Sequence, residues 1–263
     1  MSLPISGDHS IEVANFVCIF ENPFPASSIQ ALMGLKEIFK TEYPIFSIDS
    51  LWNVQIDSKD NAPISKHQIA GVSLQKLSEK TNKPAWILRT EPQSIVVSCF
   101  DYGRWDVESK KAIDDLTKVI NIVDDGRNPV VQLILHVVDR FIGGPYETYK
   151  INQVFNTRSR YLSKQAVESG PLWHVHQGWF EGVHEKVEKI LHNLNLSTNQ
   201  TPQGIVTTID HNARYAFVKP TSASVLNDVS YVKDIFDLLH AANKAVLIDL
   251  LNKNQCRKVK LCL

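Results

Sequence analysis

The segment that most restricts the fold is residues 130–142, VVQLILHVVDRFI, in which every second residue forms an apolar face and polar residues recur at steps of four on the other face. The apolar positions are Val131, Leu133, Leu135, Val137 and Phe141, and the polar positions are Gln132, His136 and Arg140. Successive side chains of a strand point to opposite faces, so this pattern predicts a long strand with one buried face and one solvated face. Such strands are typical of antiparallel sheets that are covered on one side only.

The rest of the chain contains further strand patterns and amphipathic helix patterns in irregular order. In the first part of the chain the pattern predicts a strand in 11–25 and several strands between 45 and 100, with a hairpin turning at Glu91-Pro92. Later strands are predicted at 172–180, 186–197 and 204–218, the last of these being a hairpin that turns at DHN (210–212). Helices are predicted in 26–40, with Ser27 or Ser28 as N-cap, in 108–123 and in 229–251. We therefore expect an α+β fold, mainly an antiparallel sheet with amphipathic helices packed on one face.

The order of elements also suggests two similar halves. Gly143, Gly144 and Pro145 interrupt the pattern and mark the boundary between an N-terminal half, 1–143, and a C-terminal half, 144–263, that would pack as one compact unit. Each half is expected to contain antiparallel strands followed by an amphipathic helix.

The final predicted helix carries an apolar stripe that must pack against the rest of the protein. The stripe contains Val232, Ile235, Phe236, Leu239, Val246 and Leu250. A helix of this kind depends on tertiary packing for its stability. Asn243 lies in the middle of the stripe and His240 at its margin, so both are candidates for lining a pocket or an interface; a core amide with a hydrogen-bond partner is the alternative for Asn243.

Charge and composition exclude several classes of function. The 28 basic and 28 acidic side chains balance, so nucleic-acid binding is not favoured. No apolar run is long enough to cross a bilayer, and the widely spaced cysteines (Cys18, Cys99, Cys256 and Cys262) are typical of a reducing compartment. We expect a cytoplasmic protein with no membrane contact and no cofactor. The basic residues after 256 are interpreted as a solvated tail.

The segment PLWHVHQGWFEG, residues 171–182, raises the question of a metal site. His174 and His176 share one strand face, opposite Trp173 and Val175, and His184 and His211 could complete a zinc site with them. The alternative is a strand with one buried aromatic face and one wet face. The following HEKVEKILH offers Glu188 where the second histidine of HExxH would stand, so that protease motif is absent.

A second candidate site is the polar row of residues 130–142. Gln132, His136 and Arg140 could recognise a ligand, or they could simply be the solvated side of the strand. Asp139 interrupts the apolar face. If it is buried it needs a partner such as Arg89 or Arg140; otherwise it lies beyond the edge of the core.

Several segments together resemble a known family. IEVANFVCIF, WILRTEPQSIVVSCFDYGRW with Tyr102 and Trp105, LILHVVDRF, and VKDIFDLLHAANKAVLIDLL are similar to a sporadically distributed family of prokaryotic proteins of unknown function. The resemblance implies an α+β architecture but no catalytic residues. The scattered distribution of the family resembles that of phage-defence or toxin–antitoxin loci.

Two hypotheses for function follow. The first is a non-enzymatic binding or assembly protein that engages a protein partner or a second copy of itself, because the charge is neutral and no catalytic motif occurs. The second is a metal-dependent hydrolase that uses the cluster around His174 and His176. Copurification of a transition metal would distinguish the two.

Overall fold

A computed structural model describes residues 2–56, 63–182 and 189–261. It contains ten strands: β1 (Leu3–Pro4), β2 (Ile11–Phe20), β3 (Ile45–Ile56), β4 (Pro63–Leu77), β5 (Pro84–Glu91), β6 (Ser94–Cys99), β7 (Val130–Ile142), β8 (His174–Gly182), β9 (Lys189–Thr201) and β10 (Gly204–Thr221). The α-helices are α1 (Ala26–Leu32), α2 (Leu35–Ile38), α3 (Trp105–Val123), α4 (Lys164–Glu168), α5 (Val229–Leu250) and α6 (Lys253–Lys258).

The strands form one ten-stranded antiparallel sheet in the order β3-β4-β5-β6-β2-β7-β10-β9-β8, with β1 paired to β7. The helices α3 and α5 pack against each other and against β2, β6, β7 and β10. The buried side chains of these strands, including Phe16, Leu135 and Ala213, point toward the helices. The protein therefore has the predicted α+β fold with an antiparallel sheet.

Two halves of the chain repeat the same order of elements. The first half runs from β2 through α1, α2 and the meander β3 to β6 into α3, and the second runs from β7 through α4 and the meander β8 to β10 into α5. In each half the last meander strand pairs with the first strand, as β6 pairs with β2 and β10 with β7. The antiparallel pair of β2 and β7 joins the halves. The expectation of two similar halves is confirmed, while the boundary at residue 143 stays a prediction.

Two apolar cores lie between the sheet and the helices. The larger one contains Phe16 and Leu135, and the smaller one contains Phe141, Leu194 and Ile209. Helix α5 contributes to both: Val232, Ile235, Phe236 and Leu239 belong to the larger core, and Val246, Leu247 and Leu250 to the smaller. Its apolar stripe is thus buried, and it begins at Asp228, whose carboxylate accepts hydrogen bonds from the amides of Ser230 and Tyr231.

Three local predictions were wrong. Residues 210–212 do not turn, because β10 is hydrogen-bonded to β7 on one side and β9 on the other, and the two ladders override the turn propensity of Asp-His-Asn. The predicted helix in 26–40 is split into α1 and α2 at Gly34. Pro25 occupies the N-cap of α1, and the Ser28 hydroxyl is buried and donates to the carbonyl oxygen of Val123 at 2.8 Å.

The C-terminal segment is packed rather than solvated. Gln255 and Cys256 in α6 are 1% and 2% exposed. The Gln255 side chain donates hydrogen bonds to the carbonyl oxygens of Ser2, at 2.9 Å, and Gln153, at 2.8 Å. The interpretation as a solvated tail holds for Arg257 and Lys260, which are exposed. It does not extend to Gln255 and Cys256, because segments distant in sequence bury them. Within the described residues, no helix is long and apolar enough to cross a lipid bilayer.

Candidate functional site

A cavity of about 650 Å³ lies where the two halves meet on the helix side of the sheet. Its wall is formed by the start of β2 and the residues before it, the end of β7, the start of α3, the middle of α5 and the segment after α6. This volume is within the range of cavities that hold small organic ligands in proteins.

The cavity occurs where polar residues interrupt the apolar faces of several elements. On β7, Asp139 lies between Val137 of the larger core and Phe141 of the smaller core. On α5, Asn243 lies between Leu239 and Val246, which also belong to different cores. Asp139 is 1% exposed and Asn243 4% exposed. A buried polar layer thus separates the two cores, and both residues line the cavity.

Strands β9 and β10 carry the same interruption. His192 lies between Ile190 of the larger core and Leu194 of the smaller core on β9. On β10, His211 lies between Ala213 and Ile209, again one residue from each core. Both imidazoles are completely buried, so the polar layer continues across the second half of the sheet.

Asp139 is the carboxylate of this layer, and like Asn243 it has a buried side-chain atom without a hydrogen-bond partner in the described part of the chain. Its Oδ1 accepts a hydrogen bond of 2.6 Å from the Ser10 hydroxyl, whereas its Oδ2 is buried without a hydrogen-bond partner in the described part of the chain. Burial raises the pKa of Asp139 to about 6, and the hydrogen bond from Ser10 opposes this shift. The predicted partners do not reach it: Arg140 pairs with Glu12 at 2.6 Å, and Arg89 pairs with Glu91 at 2.6 Å.

Aromatic rings form one wall of the cavity. Trp105, the first residue of α3, stacks on His240 of α5 with ring centroids 3.9 Å apart, and its indole nitrogen donates to Asp237 at 2.7 Å. Tyr102 also lines the cavity and contacts His9 edge to face at 5.6 Å. Burial lowers the pKa of His240 to about 4 and lowers that of His9, so both imidazoles are neutral at physiological pH.

A chain of polar side chains connects the cavity to the edge strand β8. Nδ1 of His192 lies 3.0 Å from Nε2 of His211, and Nε2 of His192 lies 3.1 Å from the exposed carboxylate of Glu181. The Asn243 side chain lies on the other side of His211 and favours its protonated form, but burial dominates and lowers the pKa of His211. Burial also lowers the pKa of His192. Trp179 covers His192, with parallel rings 4.7 Å apart.

The predicted polar row of β7 lies on the opposite, helix-free face of the sheet. His136 contacts Asn15 through Nδ1 at 3.0 Å and Asp210 through Nε2 at 2.8 Å. The hydrogen bond from His136 lowers the pKa of Asp210. Gln132 is half-buried on the same face. The structure therefore separates Gln132, His136 and Arg140 from the other predicted pair, His240 and Asn243, which line the cavity.

The predicted metal ligands are not brought together. His174 and His176 are exposed, and their cross-strand neighbours Ser197 and Asn195 belong to the helix-free face. His211 is cross-strand from the buried Leu194, so its side chain points toward the helices, away from the face that carries His174 and His176. His184 lies outside the described residues. Within residues 2–56, 63–182 and 189–261 there is no group of three His, Cys, Asp or Glu side chains that could hold a metal ion.

Part of this site was visible in the sequence. Asp139 and Asn243 were recognisable as polar interruptions of apolar stripes, and Tyr102 and Trp105 occurred in a segment of the family resemblance. His9 and Ser10 gave no signal, because polar residues before a first strand are common. The cysteines Cys18 and Cys99 are buried in the larger core as expected for small hydrophobic residues, and burial raises the pKa of both thiols.

Comparison with known proteins gives little further information. No protein-family model matches the chain, and no curated protein matches it. Among solved structures, the di-domain ARO/CYC StfQ from the steffimycin biosynthetic pathway aligns over 89% of this chain and 96% of its own, with 8% sequence identity and a TM-score of 0.20.

Proposed function

We propose that the protein is a binding protein that holds a small organic molecule in the cavity between its two halves. The observation that carries this proposal is the buried carboxylate of Asp139 in the cavity wall, one oxygen of which has no hydrogen-bond partner among the described residues. Leaving a buried polar atom unpaired costs free energy, which a ligand that hydrogen-bonds to it would recover. The surrounding walls are mainly apolar and aromatic, as in most small-molecule sites.

The experiment that tests this proposal uses a matched pair of substitutions in β7. Val137 lines the cavity, whereas its neighbour Val138 points to the helix-free face of the sheet. Val137→Phe should fill part of the cavity, and Val138→Phe should leave it open. Wild-type protein and both variants are incubated with a small-molecule extract of bacterial cells, separated from unbound compounds and denatured, and the released molecules are identified by mass spectrometry.

We expect wild type and Val138→Phe to release the same compound and Val137→Phe to release much less of it. Lys244→Trp, at an exposed position on the rim, is a second blocking variant in case Val137→Phe does not fold. Circular dichroism checks the fold of each variant. Equal recovery from all folded variants, or no compound recovered from wild type, would contradict the proposal.

Binding of a protein partner is a second candidate. The helix-free face of the sheet and the edge strand β8 provide a surface, and Phe180 on β8 is 67% exposed. Light scattering after size exclusion would detect self-association, and Phe180→Ser should reduce it if β8 is the interface. The partner, the cytoplasmic location, the family resemblance and the link to defence loci stay predictions, and nothing in the described residues favours the metal-dependent hydrolase.

A further inference from the structure

We propose that the ligand of this cavity is a zwitterionic amine, with its ammonium group directed at Asp139 and its anionic group at the rim. This inference rests on the proposed binding function and deepens it by naming the chemical class of the ligand. It follows from the position of the charges and hydrogen-bond acceptors around the cavity.

The inner end of the cavity offers acceptors without a positive charge to balance them. Asp139 Oδ2 has no hydrogen-bond partner among the described residues, and Ser10 already satisfies the other carboxylate oxygen. Asn243, buried nearby on α5, lines the same cavity. A buried carboxylate is stable only when it is protonated or paired with a cation. An ammonium group, which has three donors and a positive charge, complements this end of the cavity.

Among the described residues, no side chain of the cavity wall provides that cation. Arg104 and Lys244 line the cavity but are exposed, and Lys260 pairs with Asp8 at 3.1 Å. His9 and His240 are neutral, because burial lowers the pKa of each. Desolvation and the Ser10 hydrogen bond account for the shifted pKa of Asp139, without a contribution from a cation. The counter-charge therefore has to come from the ligand.

The rim and the wall define the rest of the ligand. Arg104 and Lys244 are suited to an anionic group such as a carboxylate, since Arg and Lys bind carboxylates through charge-assisted hydrogen bonds. Tyr102 and Trp105 contribute aromatic rings to the wall of the same cavity. Aromatic faces bind both flat apolar groups and ammonium groups. An amino acid with an aromatic or apolar side chain combines these features.

Three probes with the same indole body separate the contributions of the two charges. L-tryptophan carries both groups, tryptamine carries only the ammonium group, and indole-3-propionate carries only the carboxylate. Binding of each to the full chain is measured at neutral pH by ligand-observed NMR and titration calorimetry. We expect tryptophan to bind most tightly and tryptamine to bind more tightly than indole-3-propionate.

Substitutions then assign each charge to its partner. Asp139→Asn should weaken tryptophan and tryptamine at least tenfold and leave indole-3-propionate unchanged. Lys244→Ala should weaken tryptophan and indole-3-propionate but not tryptamine. Asp210→Asn is the matched control, because Asp210 is a carboxylate on the helix-free face paired with His136. It should change none of the three affinities.

The outcomes distinguish this inference from the proposed function. One contrary result is a compound recovered from the cell extract that lacks a basic nitrogen, and another is indole-3-propionate that binds as tightly as tryptophan and loses its binding in Val137→Phe. Either result would show that the cavity binds ligands and that the proposed zwitterionic class is wrong. If no probe binds and no compound is recovered, both proposals fail. Recovery of a zwitterionic amine that Asp139→Asn no longer retains would support both.

Discussion

At the scale of single residues, the unusual feature is that two carboxylates on neighbouring strands have opposite environments. Asp139 faces the interior, where burial raises its pKa to about 6. Asp210 faces the open side of the sheet, where the hydrogen bond from His136 lowers its pKa. The ionised carboxylate is therefore destabilising in one position and stabilising in the other.

The first prediction concerns the stability of Asp139→Asn. The folded-state pKa of Asp139 is about 6, above the ordinary value of 3.8 for an aspartate, so ionisation disfavours the native state as pH rises through this window. A pKa difference of this size corresponds to about 3 kcal/mol in the free energy of unfolding at pH values above both the folded-state and the unfolded-state pKa. We expect Asp139→Asn to raise the free energy of unfolding by about 1–3 kcal/mol at pH 8 and to have little effect near pH 4, measured by urea unfolding.

Asp210→Asn provides the contrast. Its folded-state pKa is lowered, so its carboxylate contributes stability above the unfolded-state value, and this contribution is lost as pH falls. We expect this substitution to destabilise the protein at neutral pH. A stabilising effect of Asp210→Asn, or a destabilising effect of Asp139→Asn at pH 8, would show that the environments are not as described.

A second residue-scale prediction concerns His240. Burial lowers its pKa to about 4, so between pH 6.5 and this value the unfolded chain binds a proton that the native protein does not. The stabilising contribution of the neutral ring is present above pH 6.5 and is lost as pH falls. His240→Phe keeps a ring that can stack on Trp105 but does not titrate. We expect the wild type to lose more stability than His240→Phe between pH 7.5 and pH 5 in urea unfolding.

At the scale of elements, α5 is the part of the molecule on which both cores depend. Its N-terminal part packs into the larger core and its C-terminal part into the smaller one, with Asn243 at the transition. The stripe is therefore a core surface along its whole length and is not available to a partner. This arrangement also fixes the position of Asn243 opposite β7, which shapes the cavity.

Leu239→Ala tests the role of this helix. Leu239 is completely buried in the larger core, so the substitution should remove transfer free energy and leave a cavity, at a cost of about 2–5 kcal/mol. Ile248, which is 46% exposed on the same helix, is the control, and Ile248→Ala should change the free energy of unfolding by less than about 0.5 kcal/mol. A near-neutral Leu239→Ala in urea unfolding would indicate that the stripe is an interface.

At the scale of the whole molecule, the two halves are joined by contacts of several kinds. The pair of β2 and β7 makes the sheet continuous, α5 enters both cores, and the C-terminal segment contacts the N-terminal one. In the last of these, Gln255 bridges the carbonyl oxygens of Ser2 and Gln153. Lys260, paired with Asp8, closes the rim of the cavity on the same side. Ligand binding and the order of the C-terminal segment are thus expected to be coupled.

Gln255→Ala tests this connection. The substitution removes two hydrogen bonds and takes the side-chain donor from the Gln153 carbonyl oxygen, whereas that of Ser2 still accepts from Lys258 at 3.2 Å; the cost should be about 1–3 kcal/mol. Asn254→Ala, at an exposed neighbouring position, should be close to neutral. Thermal unfolding of both variants tests whether the segment is packed. If it were the solvated tail predicted from the sequence, neither substitution would change the melting temperature.

The sequence by itself determined the elements whose patterns are local. Alternation fixed β7 as a strand with one buried face, and apolar residues three and four apart fixed α3 and α5, since these periods follow from backbone geometry. The polar interruptions at Asp139 and Asn243 were also visible in the sequence. The faces of Trp173 and His174 followed from the same period of two.

Only the tertiary structure decided which of these residues meet. Asp139 and Asn243 lie on different elements, and it is the packing of α5 on β7 that places both at one cavity with Ser10 and Trp105. Packing likewise held residues 210–212 in a strand against their turn propensity and buried Gln255. Each case depends on contacts between distant segments, and their free energies exceed the local preferences that sequence patterns report.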